Sequence, residues 1–314
     1  MSFTVQIKEE ISKIESTESE RISELSAYIR NNAIITKNKI TLTTENHFII
    51  ERMIIILKDL FNITAKEEII DNLNFSKNNL YQLTIEEDIP SLCIKLGIWD
   101  ENKKYLDVVP NYIIGDNEEI RAYIRGAFLA NGSINDPKTS RYHMEILVLY
   151  PEEAVFIQKL LNIFELNAKI LSRDKGFMIY IKEEEKISDF LKIIGASNAV
   201  LYYENVRIYR DKKNIANRLN NCEQANMDKI FETAQEQIKQ IEIIEANDGV
   251  MLLDEKTQDT LKYRKKYPEA SLKELAEIIS LETGKTITKS GLNHRLRKIK
   301  ELSKRFEKMD REVI

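Results

Sequence analysis

Apolar positions along the first two hundred or so residues follow two alternating periods, and the alternation itself repeats. Ile22, Leu25, Ser26 and Ile29 fall on one face of a helical pattern, as do Ile120, Tyr123, Ile124, Ala127 and Phe128 about a hundred residues later. Each predicted helix is followed by two short β-like runs, an amphipathic helix, a second strand pair and a closing helix. The amphipathic helices end in similar text, LKDLFNITAK over 57–66 and LLNIFELNAK over 160–169. The strand pairs after them are expected at 66–70 with 80–85 and at 169–172 with 177–181, the second turned by Lys175-Gly176. The closing helices lie in PSLCIKLGI and ISDFLKIIGA. The chain thus reads as two copies of an αββαββα unit, about 16–98 and 116–196, inside a first domain of residues 1–220.

Capping chemistry sharpens several ends. Asp116-x-x-Glu119 opens the first helix of the second copy and Gly132 stops it. The stretch from residue 201 is basic at Arg207, Arg210, Lys212, Lys213 and Arg218 and then helical by composition, which suggests a connecting helical hairpin, with 221–251 as a helical linker. Asn247-Asp248-Gly249 is a turn signal that precedes an all-α module over 252–314. In that module a basic helix runs from Leu252 to Pro268. Ser271-x-x-Glu274 caps a short helix with a Leu272, Leu275, Ala276, Ile279 stripe, and Glu282-Thr283-Gly284-Lys285 forms a turn. Thr288 or Ser290 then caps a last helix whose apolar stripe is Leu292, Leu296, Ile299, Leu302 and Phe306.

Composition narrows the class. With 314 residues, 43% hydrophobic and 31% charged, the chain is ordinary for a protein with several packed domains. It has no run of about 18 apolar residues and no signal-peptide pattern, so a cytoplasmic protein without a membrane segment is expected. Cys93 and Cys222 stand far apart without neighbouring His or Cys, which excludes a readable disulfide framework or zinc site. No phosphate loop, dinucleotide fingerprint or nucleophile elbow occurs, so no cofactor is expected.

Charge changes the picture most. From Lys256 to the end, 16 Lys and Arg face 9 Asp and Glu, a local charge of +7, which leaves −11 for the rest of a chain whose net charge is −4. A phosphate-binding face is therefore sought at the C-terminus. The polar side of the last helix has the residue types that reading base edges requires: short polar groups, Asn and Arg in its first turns, with cations beside them for phosphates. Double-stranded DNA is the expected partner. The expected contacts are Lys273, Thr288, Lys289, Ser290, Asn293, His294, Arg295, Arg297, Lys298, Lys300 and Lys304. Two packed helices with a Gly-containing turn also fit a protein-docking unit, against which the charge weighs.

Three separated motifs in order, IRGAFLANGSINDPKTSRYHMEI, NRLNNCEQAN and SLKELAEIIS with TKSGLNHRLRKI, resemble the WhiA family of bacterial regulators over nearly the whole chain. The resemblance implies an α+β fold: a duplicated domain like LAGLIDADG homing endonucleases, followed by an all-α helix-turn-helix domain. It also implies a transcriptional regulator at the nucleoid, tied to cell division and chromosome segregation and, in some relatives, to sporulation. Other transcription or division proteins stay open as partners. Laid on the endonuclease motif, 124–132 matches in length and 25–33 is a weaker first copy. The positions that hold divalent metal in active enzymes are here Asn131 and Asn32. An amide brings no charge to a cation that favours carboxylates, so no catalytic residue is assigned and a working endonuclease is the alternative to be tested. Ala122, Gly126 and Ala130, and Ser23, Ala27 and Asn31, recur every fourth position, which suits two closely packed helices.

Overall fold

The computed structural model describes residues 2–70, 79–139 and 141–312 and divides the chain into two compact units, Met1–Arg210 and Asp211–Ile314. The first unit opens with α1 (Phe3–Ile11). The first copy follows as α2 (Glu18–Asn32), β1 (Ile34–Ile35), β2 (Ile40–Thr44), α3 (His47–Phe61), β3 (Lys66–Ile70), β4 (Leu80–Ile85) and α4 (Ile89–Lys95). The second is α5 (Asn117–Asn131), β5 (Gly132–Ile134), β6 (Met144–Val148), α6 (Pro151–Ile163), β7 (Lys169–Arg173), β8 (Gly176–Ile181) and α7 (Glu184–Ile193). Each copy forms a four-stranded antiparallel sheet, in the orders β1-β2-β4-β3 and β5-β6-β8-β7. The expected duplicated αββαββα plan is therefore present.

Local chemistry explains where these elements begin and turn. Thr17 with Glu20, and Asp116 with Glu119, form reciprocal capping boxes on α2 and α5. Asn62 ends α3 in the left-handed region, and Glu165 and Asn167 take the same region in the equivalent text of the second copy. Gly176 has φ +122° in the β7–β8 turn, where a Cβ would meet the Val148 carbonyl.

The core of the first unit is organised around α2 and α5, which pack against each other. A Cβ on Gly126 would lie 2.2 Å from the Glu24 carbonyl, so only glycine permits this approach. Ser23, Ala27 and Ala122 are fully buried, as the small-residue stripe suggests. Glu24, also fully buried, lies between Arg52 and Arg125: it pairs with Arg52 through both carboxylate oxygens and accepts from Arg125 Nε at 2.7 Å. Burial alone would raise the Glu24 carboxyl, but the hydrogen bonds and charges of the two arginines outweigh it and hold the group below the ordinary range.

Three readings of the sequence are corrected. α1 was not anticipated; its Phe3, Ile7 and Ile11 fall every fourth position and are buried in the core. The basic stretch after residue 201 is not a hairpin but part of one helix, α8 (Ser197–Ala246), because no Gly or Pro interrupts it. The boundary drawn at 220/221 falls inside that helix.

The second unit continues through a 3₁₀ turn (Gly249–Leu252) to α9 (Glu255–Lys266), α10 (Leu272–Thr283) and α11 (Lys289–Glu312). Its core joins Ile241 and Ile244 of α8 to Leu261, Leu275, Ala276, Ile279, Leu292, Leu296 and Ile299. A module cut at residue 252 would lose two of these, so the α8 end belongs to the same packed body. Ser271 and Glu274 form the expected capping box on α10, and Gly284 ends it at φ +67°. Thr288 Oγ1 caps α11 by accepting from the Gly291 N–H at 3.1 Å. Among the described residues no helix is long and apolar enough to cross a membrane.

Candidate nucleic-acid interface

The apolar side of α11 fixes what its other side presents. Leu292, Leu296, Ile299 and Ser303 are buried and Leu302 and Phe306 half-buried. At about 100° per residue the opposite face carries Ser290, His294, Arg297, Glu301, Lys304 and Arg305, with Lys289 and Asn293 on its flanks. All eight are exposed. None has an ion pair or side-chain hydrogen bond among the described residues, so their donors and acceptors are directed to solvent.

The remaining predicted contacts divide by what already holds them. Lys273 is exposed and only 4.0 Å from Glu277, a weak surface pair. Lys300 pairs with Glu236 at 3.1 Å. Lys298 lies 2.8 Å from Asp254, the cap of α9, and hydrogen bonds from Lys298 and Thr257 hold that carboxyl down to about 2. Arg295 turns back to α9, where Nη1 donates to the Lys256 carbonyl at 3.1 Å and reaches Thr260 Oγ1 at 3.4 Å. Its position on the apolar flank explains this orientation. Sequence reasoning did not single out Arg264, which is 1% exposed. The available signal was its spacing: it follows buried Leu261 by three residues, a charge at a core position.

In the first unit the corresponding polar residues are used internally. Asn32 clasps Thr43 of β2, donating to its carbonyl at 3.0 Å and accepting its N–H at 3.1 Å. Asn131 donates to the Asn31 carbonyl at 2.7 Å, linking the ends of α5 and α2. Asp136 accepts from Tyr202 at 3.1 Å and from the Lys138 N–H at 2.9 Å. The groove at these helix ends, about 1080 Å3, is lined by Lys8, Asn32, Thr43, Glu45, Asn46 and Asn131 among others. This donor set does not fit a divalent cation: its two motif positions are amides committed to the fold, and the cation in it is a lysine. Among the described residues no three His, Cys, Asp or Glu side chains stand together as a metal site.

A second set of cationic side chains, on the two sheets, is also diluted. Lys37, Lys39, Arg141, Arg173 and Lys175 are exposed, but His143 is 3.0 Å from Glu145 and Arg173 donates toward Met178. Leu147 and Leu171, both about half exposed, stand among them on β6 and β7. Among the described residues, apolar and acidic groups thus interrupt the cations of the second sheet.

Comparison with known proteins accords with this division. Three family models match in order: the WhiA N-terminal LAGLIDADG-like domain over 18–99, the WhiA LAGLIDADG-like domain over 120–213 and the WhiA C-terminal HTH domain over 216–303. A probable cell division protein WhiA of Enterococcus faecalis is 41% identical over 98% of each chain. One from Staphylococcus epidermidis is 42% identical over 96% of each. The crystal structure of a full-length WhiA from Thermatoga maritima shares the fold, with a TM-score of 0.60 at 24% identity over 98% of this chain and 99% of its own. That of a WhiA N-terminal LAGLIDADG domain has a TM-score of 0.50 at 25% identity over 62% of this chain and 90% of its own. With two LAGLIDADG-like copies and a helix-turn-helix unit in this order, and these identities across the whole length, the chain belongs to the WhiA family of cell division proteins.

Proposed function

We propose that this protein is a transcriptional regulator at the nucleoid that reads duplex DNA through α11 and performs no nuclease chemistry. The observation that carries this reading is the uncommitted polar face of α11. Asn293 and Arg297 are one turn apart and suited to adenine and guanine edges, while Lys289 and Lys304 flank them for phosphates. Ser290 and His294 complete the face, Thr288 meets the DNA backbone beside it while its Oγ1 caps α11, and Lys273 at the start of α10 adds a backbone contact. Lys298 and Lys300 are exposed enough to exchange their carboxylates for phosphates, whereas Arg295 acts by holding α11 on α9.

The amides at positions 32 and 131 support the absence of cleavage, since metal-assisted hydrolysis needs carboxylates to hold its cations. Both parts are checked on the full chain. Affinity for duplex DNA is expected to fall steeply with salt, with a log–log slope of roughly −4 to −6 if five or six cations meet phosphates. Supercoiled plasmid incubated with Mg²⁺ is expected to stay intact. A flat salt response would reject the DNA reading, and nicking that disappears on Asn131→Ala would restore the endonuclease.

A further inference from the structure

A pocket of about 400 Å3 lies beside the first turn of α11, lined by Lys229 of α8, Arg264 of α9, Ser271, Leu272 and Lys273 at the start of α10, and Lys289. Among the described residues, four that line it are cationic and none is a carboxylate. Arg264 is 1% exposed, and burial lowers its pKa. Its Nη1 donates to the Ala270 carbonyl at 2.7 Å and reaches the Tyr267 carbonyl at 3.5 Å, but buried Nε has no partner and no acidic side chain pairs with the guanidinium among the described residues. A buried guanidinium without a counter-charge is costly, and such charges are normally paired.

The start of α10 adds to the positive field. The Leu272 and Lys273 amides occupy its first two positions, where no carbonyl within the helix can accept from them. Glu274 is the acidic group adjoining this end, yet its carboxylate accepts the Ser271 N–H at 2.8 Å and lies outside the lining.

We propose that this pocket binds a small anion with a terminal phosphate, seated on Arg264, and that its occupancy competes with DNA for Lys273 and Lys289. The competition rests on the DNA reading above; the binding itself does not. Phosphate is favoured over carboxylate because three ammonium groups, a guanidinium and two helix amides offer more donors than two oxygens can use. A terminal phosphate is favoured over a duplex phosphodiester because Arg264 is recessed. A phosphodiester carries sugars on both sides and presents its free oxygens only at the surface.

The test uses the full chain at fixed ionic strength, titrated calorimetrically with inorganic phosphate, a 5′-mononucleotide and dimethyl phosphate. Saturable binding of the first two and little of the third is expected. Lys229→Glu, at an exposed position, should weaken it by about tenfold or more, and Arg264→Met should weaken it at least as much. Should Arg264→Met not fold, Lys229→Glu decides alone. Saturating phosphate should also weaken DNA binding severalfold. Lack of saturable phosphate binding overturns the proposal, as does binding unchanged in Lys229→Glu. If Lys229→Glu weakens DNA binding while phosphate does not bind, the pocket is a DNA-backbone contact and the proposal fails with the DNA reading intact. Phosphate binding by a chain that does not bind DNA would uphold the pocket and reject the DNA reading.

Discussion

The helices at the centre of the first unit and the first turns of α11 both carry Asn, Arg and hydroxyl groups, but, Thr288 and Arg295 aside, α11 uses its own in the opposite way. In the first unit Asn32, Asn131, Arg52 and Arg125 are bonded to their own fold. On α11, Asn293, His294 and Arg297 have no internal partner among the described residues and stand exposed. Residue type does not separate a structural polar group from a recognition group; prior engagement does. A side chain already hydrogen-bonded inside the protein must give up that bond to meet a ligand, whereas an unengaged one exchanges only water.

Perturbing the engaged groups should cost stability, and perturbing the unengaged ones should cost binding. The largest effect is expected for Glu24→Ala, which leaves buried Arg52 without a carboxylate and Arg125 with only its 3.8 Å pair to Glu20, and should destabilise the first unit by about 3–5 kcal/mol. Trp99 is the single tryptophan and lies in that unit, so its fluorescence during urea unfolding measures this directly. Wild-type stability should show a matching pH dependence. The Glu24 pKa is lower folded than unfolded, so its contribution is complete above the unfolded value, roughly 4.3. It is lost as pH falls through the folded value, because the unfolded chain takes up the proton first.

Next in size, Gly126→Ala should cost about 1–3 kcal/mol in the same assay by forcing α2 and α5 apart. Arg297→Ala should leave that unfolding transition unchanged and cost about 1–3 kcal/mol of binding at a preferred site, with less loss on random duplex. The smallest effect is assigned to Lys304→Ala, which should weaken all sequences alike and reduce the salt slope by about 1.

Much of the fold was legible because its signals are local. The duplicated text ending at Lys66 and Lys169, the Asp116–Glu119 and Ser271–Glu274 boxes and the every-fourth small residues each act within a turn or two of helix. α1 was missed because Phe3, Ile7 and Ile11, with Val5 off their line, make a weak stripe in a nine-residue helix. The exposed face of α11 could be read from periodicity alone. What distinguishes Arg295, Lys298 and Lys300 from Arg297 could not, since Lys256, Asp254 and Glu236 are distant in sequence and only packing brings them close. The Glu24 cluster was hidden for the same reason.

The claim that sequence reading is concentrated on α11 is tested most directly by selecting preferred duplexes from a random pool with the full chain. Affinity for the selected site and for random DNA is then measured for the wild type and for Asn293→Ala with Arg297→Ala. The double variant should retain its fold and its affinity for random DNA within a few-fold while its preference for the selected site collapses. A preference that survives intact would place the base reading elsewhere in the chain and contradict the account.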